Sequence, residues 1–295
     1  MTELTALTQK VLGAFFLGGF LLGAISQRTH FCTMGAISDV VNMGDWTRAR
    51  QWVCAIGVAL IGFAALSDLG LINPSKTLYA STRLMWLSSL VGGLMFGYGM
   101  VIASGCGNKT LVRIGGGNLK SVVVFVVMGI SAFATLKGIT AVLRVNTVDT
   151  FFVEMSAGAS LNALGIPGLG YVLSAFLMLL VLRHKDFWTF DSLLASLGVG
   201  GIVVAMWWAS GYLGFVPEHP ETLEAVYLAT SSGRIEALNF VAPVAYTLDW
   251  LMYYSDASKV LTTGIAAVAG VICGSAAVAL LSHNFRWESF ANPRD

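Results

Sequence analysis

The chain carries little charge. Of its 295 residues, 11% are Asp, Glu, Lys or Arg, against 56% hydrophobic residues and a mean hydropathy of +0.75. A soluble protein of this length needs a far larger charged surface, so most of the chain must face lipid or its own interior. The charges almost cancel, leaving +1, and no basic block stands anywhere, which argues against nucleic acid as a partner. The start, Met1-Thr-Glu-Leu-Thr, lacks both a positive region and a small-residue cleavage site. The first apolar stretch is therefore expected to stay as a helix. The four cysteines, Cys32, Cys54, Cys106 and Cys273, show neither CxxC nor zinc-finger spacing, so neither a disulfide framework nor a structural metal site is expected. Also missing are a Ser-His-Asp arrangement, a nucleotide-binding glycine loop, HExxH and paired carboxylates. No enzyme chemistry and no cofactor are implied, and the chain is not itself an ATPase.

What the chain has is long apolar runs, at about 11–26, 51–70, 84–103, 119–136, 169–182, 191–214, 239–254 and 259–282. Several reach the ~20 residues that cross a bilayer core. Open sheets cannot satisfy their backbone in lipid, and barrel-type alternation is absent, so the runs read as helices. The expectation is an all-α polytopic membrane protein, a single integral domain over 1–295 with about 8–9 transmembrane helices. A stretch of weaker hydropathy, 144–168, divides it into halves of about 1–143 and 165–295, compatible with an inverted repeat. Cys54 and Cys273, set among Val, Ile and Ala, are expected to pack between helices as small hydrophobes. The acidic loop 217–238 (Glu218, Glu221, Glu224, Glu236) lies opposite the more basic loops, which by the positive-inside rule puts the N-terminus outside.

The other two cysteines stand where apolar spans break. One is in Arg28-Thr-His30-Phe31-Cys32-Thr-Met34-Gly35, followed by a short apolar segment, Thr33–Met43. The other is in Ser104-Gly105-Cys106-Gly107-Asn108-Lys109, followed by Arg113 and Gly115-Gly-Gly-Asn118. Short or glycine-interrupted segments at matching places point to discontinuous, re-entrant half-helices around a binding site. Gly105 and Gly107 allow close backbone approach. A short helix from Gly107 would aim unpaired N–H groups and its positive end at a guest beside the thiol, with Lys109 and Arg113 adding charge. An anion is the natural guest, and the soft thiols suit one that contains sulfur. Arg28 and His30 could supply charge at an entrance to Cys32. The structural alternatives are a tight turn that lets helices cross at Cys106 and a buried packing thiol at Cys32. His30 and Cys32 could form half a metal site, but no third and fourth ligand stands at a sensible spacing, so none is assigned. Asp39 and Asp45 are expected to neutralise Arg48 or cap a helix rather than relay protons.

Phe31-Cys32-Thr-Met-Gly35 and Gly97-Tyr-Gly99-Met-Val-Ile-Ala-Ser-Gly105-Cys106, leading to Arg113 and Gly115-Gly-Gly-Asn118-Leu-Lys, closely resemble the YeeE/YedE family of sulfur-transport membrane proteins. The resemblance is firm in the first half and rests on hydrophobic layout in the second. It implies an inverted-repeat inner-membrane protein with re-entrant helices that takes up thiosulfate past a line of three cysteines. Cys32 and Cys106 match the first two. The third belongs to a second Gly-Cys loop, and the chain ends at Asn292-Pro-Arg-Asp295 before one appears, so the second half is expected to be cut short or to depart from the pattern. Two alternatives remain open. One is a membrane sulfurtransferase that loads sulfur on Cys106 for a cytosolic sulfur-carrier protein, and the other is a non-transporting scaffold. The motifs do not separate thiosulfate from related sulfur or selenium species.

Overall fold

A computed structural model describes residues 2–155, 168–220, 223–256 and 258–290. Residues 156–167 of the low-hydropathy stretch, Glu221 and the terminal 291–295 lie outside the described residues. The helices in chain order are α1 (Thr2–Thr29), α2 (Thr33–Met43), α3 (Thr47–Asp68), α4 (Trp86–Ile102), α5 (Gly107–Gly115), α6 (Leu119–Lys137) and α7 (Ile139–Asn146). They continue with α8 (Leu169–Leu182), α9 (Phe190–Leu193), α10 (Val199–Trp208), α11 (Val241–Met252) and α12 (Thr263–Leu281). A π-turn at Leu194–Gly198 joins α9 to α10, and a second at Ala209–Leu213 extends α10, so 190–213 is one continuous rod. Two-residue strands pair antiparallel, Arg83–Leu84 with Val153–Glu154 and Phe215–Val216 with Val226–Tyr227.

All eight expected runs are helical. Among the described residues, six helical stretches are long and apolar enough to cross a bilayer, whereas α8 has 14 residues and α11 has 12. The expected short segments after both cysteines are helices too, α2 and α5. Large apolar side chains such as Leu94, Tyr98, Val123 and Leu179 are exposed, as lipid-facing surfaces require.

The core forms around α1 and α12, which run side by side in the same direction. A Cβ at Gly19 would overlap the backbone of Ala267, and one at Gly23 the backbone of Val271. From the other helix, Gly270 meets Phe16 and Gly274 meets Phe20 in the same way. Each helix thus presents glycines four residues apart, the spacing that lets membrane helices approach closely. Buried Val11, Phe15 and Leu22 of α1 pack with Ala266, Ala267, Val268 and Val271 of α12. Cys54 is buried between α3 and the segment near Phe187, as expected. Cys273 is not packed between helices; it is exposed, because it points away from the α1–α12 seam.

Helix α3 is held from two sides. Ser174 Oγ of α8 donates to Gly57 O at 2.7 Å, and the backbone at Gly200 of α10 sits against Val58 and Ala55. The turn from α2 into α3 is set locally. Gly44 (φ +69) ends α2 in the left-handed conformation, and its N–H and that of Asp45 return to Val40 O and Asp39 O. Asp45 Oδ1 accepts from the N–H and hydroxyl of Thr47 at 2.9 and 2.6 Å, which holds its carboxyl below the usual carboxylate range and starts α3.

The glycine seam gives a direct test. Gly274→Leu forces a side chain against backbone that cannot yield, so the loss should exceed the roughly 1–3 kcal/mol typical of core overpacking. Gly13→Leu, whose Cβ meets nothing within 4 Å, should leave stability unchanged. Thermal unfolding in detergent compares the two; equal melting temperatures would remove the seam as the stabilising contact.

Candidate functional site

Each cysteine ends a long helix and begins a short one by the same backbone device. Helix α1 ends at Thr29, His30 takes φ +53, and Cys32 becomes the N-cap of α2 in extended conformation. Helix α4 ends at Ile102, Ser104 takes φ +54, and Cys106 becomes the N-cap of α5. In both, a non-glycine residue two positions before the cysteine adopts the left-handed region, an uncommon conformation that clusters at functional sites. Nothing in the residue types at His30 and Ser104 signals this, so the repetition is visible only in the fold.

The two half-helices converge. The thiols of Cys32 and Cys106 lie close enough to interact with each other. The Cys32 thiol also faces the backbone N–H groups of Met34 and Gly35, and Cys106 faces those of Asn108 and Lys109. These are the second and third residues of each helix, whose N–H groups have no intrahelical partner. Cys32 is buried at 6% exposure beneath Phe31, whose ring stacks on Trp52 with centroids 4.6 Å apart. Cys106 is half-buried.

The remaining sequence-derived candidates divide. Lys109 is half-buried and within charge range of both cysteines, Arg48 and Arg113. Gly105 leaves room for its stem, since a Cβ there would stand 2.9 Å from Lys109 Cγ. Gly107 opens α5 against Phe240, with 3.3 Å left for a Cβ. Asn108 donates to the buried Ser26 Oγ at 3.4 Å, and its buried Oδ1 has no hydrogen-bond partner among the described residues. Arg113 sits in the last turn of α5, where its charge suits the helix C-terminus. His30 is exposed at the rim, within charge range of Lys109 and Arg48. Arg28 turns elsewhere: its Nε pairs with Asp191 at 3.2 Å and its guanidinium lies 5.1 Å from the Phe190 ring centre. The expected neutralisation of Arg48 is observed, with Nε 3.3 Å from Asp39 Oδ2.

Three contacts seat α5 that the sequence does not announce. Ser275 Oγ of α12 is 2.6 Å from Val112 O and 3.3 Å from Gln27 Oε1, bridging α12, α5 and α1. Gly115 has no room for a side chain against Ile272 O and Ser275. Beyond α5, Gly117 takes φ +96 beneath the backbone of Arg286, and Leu119 N donates to Glu288 O at 2.9 Å. Asn118 caps α6 through Ser121 N at 3.0 Å while its amide donates to the Glu288 carboxylate. Residues 286–288 thus strap the loop that follows the half-helix.

Residues 28–295 match the sulphur transport family. The chain belongs to that family. A protein of Escherichia coli (strain K12) named thiosulfate transporter TsuA is 27% identical over 278 residues, covering 91% of this chain and 74% of that protein. One of the same name from Spirochaeta thermophila is 32% identical over 124 residues, covering 41% of this chain and 36% of that protein. The family is one of transport rather than catalysis, and the helices make this chain a multi-pass protein of the bacterial inner membrane.

The convergence is open to a simple check. A mild oxidant applied to the native chain should join Cys32 to Cys106 and leave Cys54 and Cys273 unlinked, read by mass spectrometry of peptides. Absence of the Cys32–Cys106 peptide would mean that the two half-helices do not meet.

Proposed function

We propose that the chain takes up thiosulfate, or a closely related sulfur-containing anion, along a path lined by Cys32 and Cys106. The observation that carries this reading is the meeting of two thiols, each at the N-terminal end of its own half-helix. A dianion crossing a bilayer core without compensation faces a prohibitive desolvation cost. Four backbone N–H groups and two helix dipoles oppose that cost with partial charges, and Lys109 adds one full charge. The interactions stay weak enough for release, which conduction demands.

The thiols supply the discrimination. A neutral S–H is a weak donor and suits the terminal sulfur of thiosulfate better than a strongly hydrated sulfate oxygen. The ion passes from one cysteine to the other, each holding the sulfur end in turn. Passage requires protonated thiols, because a thiolate would attack the sulfane sulfur, break the S–S bond of thiosulfate, expel sulfite and leave a persulfide.

The sulfurtransferase alternative needs that persulfide to survive on Cys106. With Cys32 in reach, its thiolate would attack the persulfide, form a Cys32–Cys106 disulfide and expel hydrosulfide. Paired thiols therefore suit passage of an intact ion better than storage of sulfur for a cytosolic sulfur carrier. The names of the relatives favour the same choice.

The test is uptake of sulfur-labelled thiosulfate by cells that lack their own uptake systems. Uptake by the wild-type chain should fall at least tenfold in Cys106→Ala and resist a tenfold excess of sulfate. Uptake that survives both Cys32→Ala and Cys106→Ala would end the thiol-path reading. A stable persulfide on Cys106, found by mass spectrometry, would replace it with the sulfurtransferase.

A further inference from the structure

One charged pair beside the cysteines has no part in the path as described. Arg48 stands in the first turn of α3, and the tight turn at Gly44 folds that helix back alongside α2. Its guanidinium occupies the place a side chain at position 35 would fill. A Cβ on Gly35 would be 2.7 Å from Arg48 Nη1 and 3.6 Å from Cys32 Cβ. Arg48 is thus brought against the first turn of α2, whose N–H groups face the Cys32 thiol. A side chain at position 35 would push the end of the guanidinium aside.

Asp39, one turn further along α2, holds the same guanidinium through Nε at 3.3 Å. This pair differs from the ion pair of Arg28 with Asp191, whose side chains are 57% and 59% exposed and which is worth little. Here the aspartate is 15% exposed and the arginine 35%, so solvent screens the interaction less. The titratable and charged groups near the cysteine pair are His30, Lys109, Arg48 and Arg113, and Asp39 is the acid paired with Arg48. A guanidinium has five N–H donors, and one bond to Asp39 leaves a face free for a second oxyanion.

We propose that Arg48 sets the affinity of the cysteine site for its anion and that Asp39 is an internal competitor that keeps that affinity low. This rests on the transport reading above. When the site is empty, Asp39 neutralises Arg48. When the dianion arrives, the guanidinium is shared between carboxylate and guest, and departure of the ion restores the internal pair. Without Asp39, the unopposed cations would hold the dianion too tightly for multi-site conduction.

The two partners must therefore act in opposite directions, which a purely structural ion pair would not produce. In the uptake assay, Arg48→Gln should raise KM at least fivefold, and Gly35→Ala should follow it. Asp39→Asn should lower both KM and maximal rate. A readout independent of transport uses purified protein: the rate of Cys106 alkylation by anionic iodoacetate relative to neutral iodoacetamide. That ratio should rise in Asp39→Asn and fall in Arg48→Gln. If both variants move the ratio the same way, or neither moves it, the proposal is overturned, whether or not the chain takes up thiosulfate. If the ratio moves in opposite directions while the wild-type chain takes up no thiosulfate, only the substrate falls, and Arg48 with Asp39 stands as the pair that tunes an anion site.

Discussion

The close crossing of α1 and α12 is the contact on which the rest of the molecule depends. Gly19 and Gly23 on one helix and Gly270 and Gly274 on the other bring backbone against backbone. Lipid tails are as apolar as side chains, so helices in a membrane gain from shape and packing rather than from exclusion of water. Hydrogen bonds between such helices average only about 0.6 kcal/mol. The bond of Ser275 to Val112 O therefore orients α5 more than it holds it. The seam carries the load, and the site inherits its geometry from it. Helix α1 delivers the break at Cys32, while α12 supplies the floor on which α5 and Cys106 rest.

The site follows from an electrostatic compromise. A membrane protein that passes an anion must offer positive potential without a trap. Half-helix N-termini provide partial charges fixed in direction, and their N–H groups need no counter-ion when the site is empty. Full charges are few and managed: Lys109 is folded over Gly105, and Arg48 is held by Asp39. Left-handed residues at His30 and Ser104 break the chain direction so that both cysteines stand at the N-cap positions of their helices. Backbone strain at two equivalent positions is the cost of placing two N-termini face to face.

Much of this is legible in the sequence. Apolar run length marks the spans, and the glycine-flanked cysteines mark the breaks at Cys32 and Cys106, because hydrophobicity and chain flexibility are local properties. Other features are not. The run at 239–254 reads as a span, but only Val241–Met252 is helical, and near its end Asp249 pairs with Lys259 (2.6 Å). Arg28 and Arg48 both lie within 16 residues or so of Cys32, and sequence distance cannot tell them apart. The fold sends Arg28 to Asp191 and brings Arg48 back over Gly35.

The sequence by itself determined a multi-span helical membrane protein, the two broken spans and the thiols within them. Those facts depend on the composition of short windows, which no distant contact can alter. Only the tertiary structure decided that the two thiols meet, that Ser275 and Gln27 seat α5, and that Arg48 joins the site. These pairings link residues up to 248 positions apart. They arise because four glycines let two helices approach to backbone contact, and a periodic glycine spacing does not name its partner until the chain has folded.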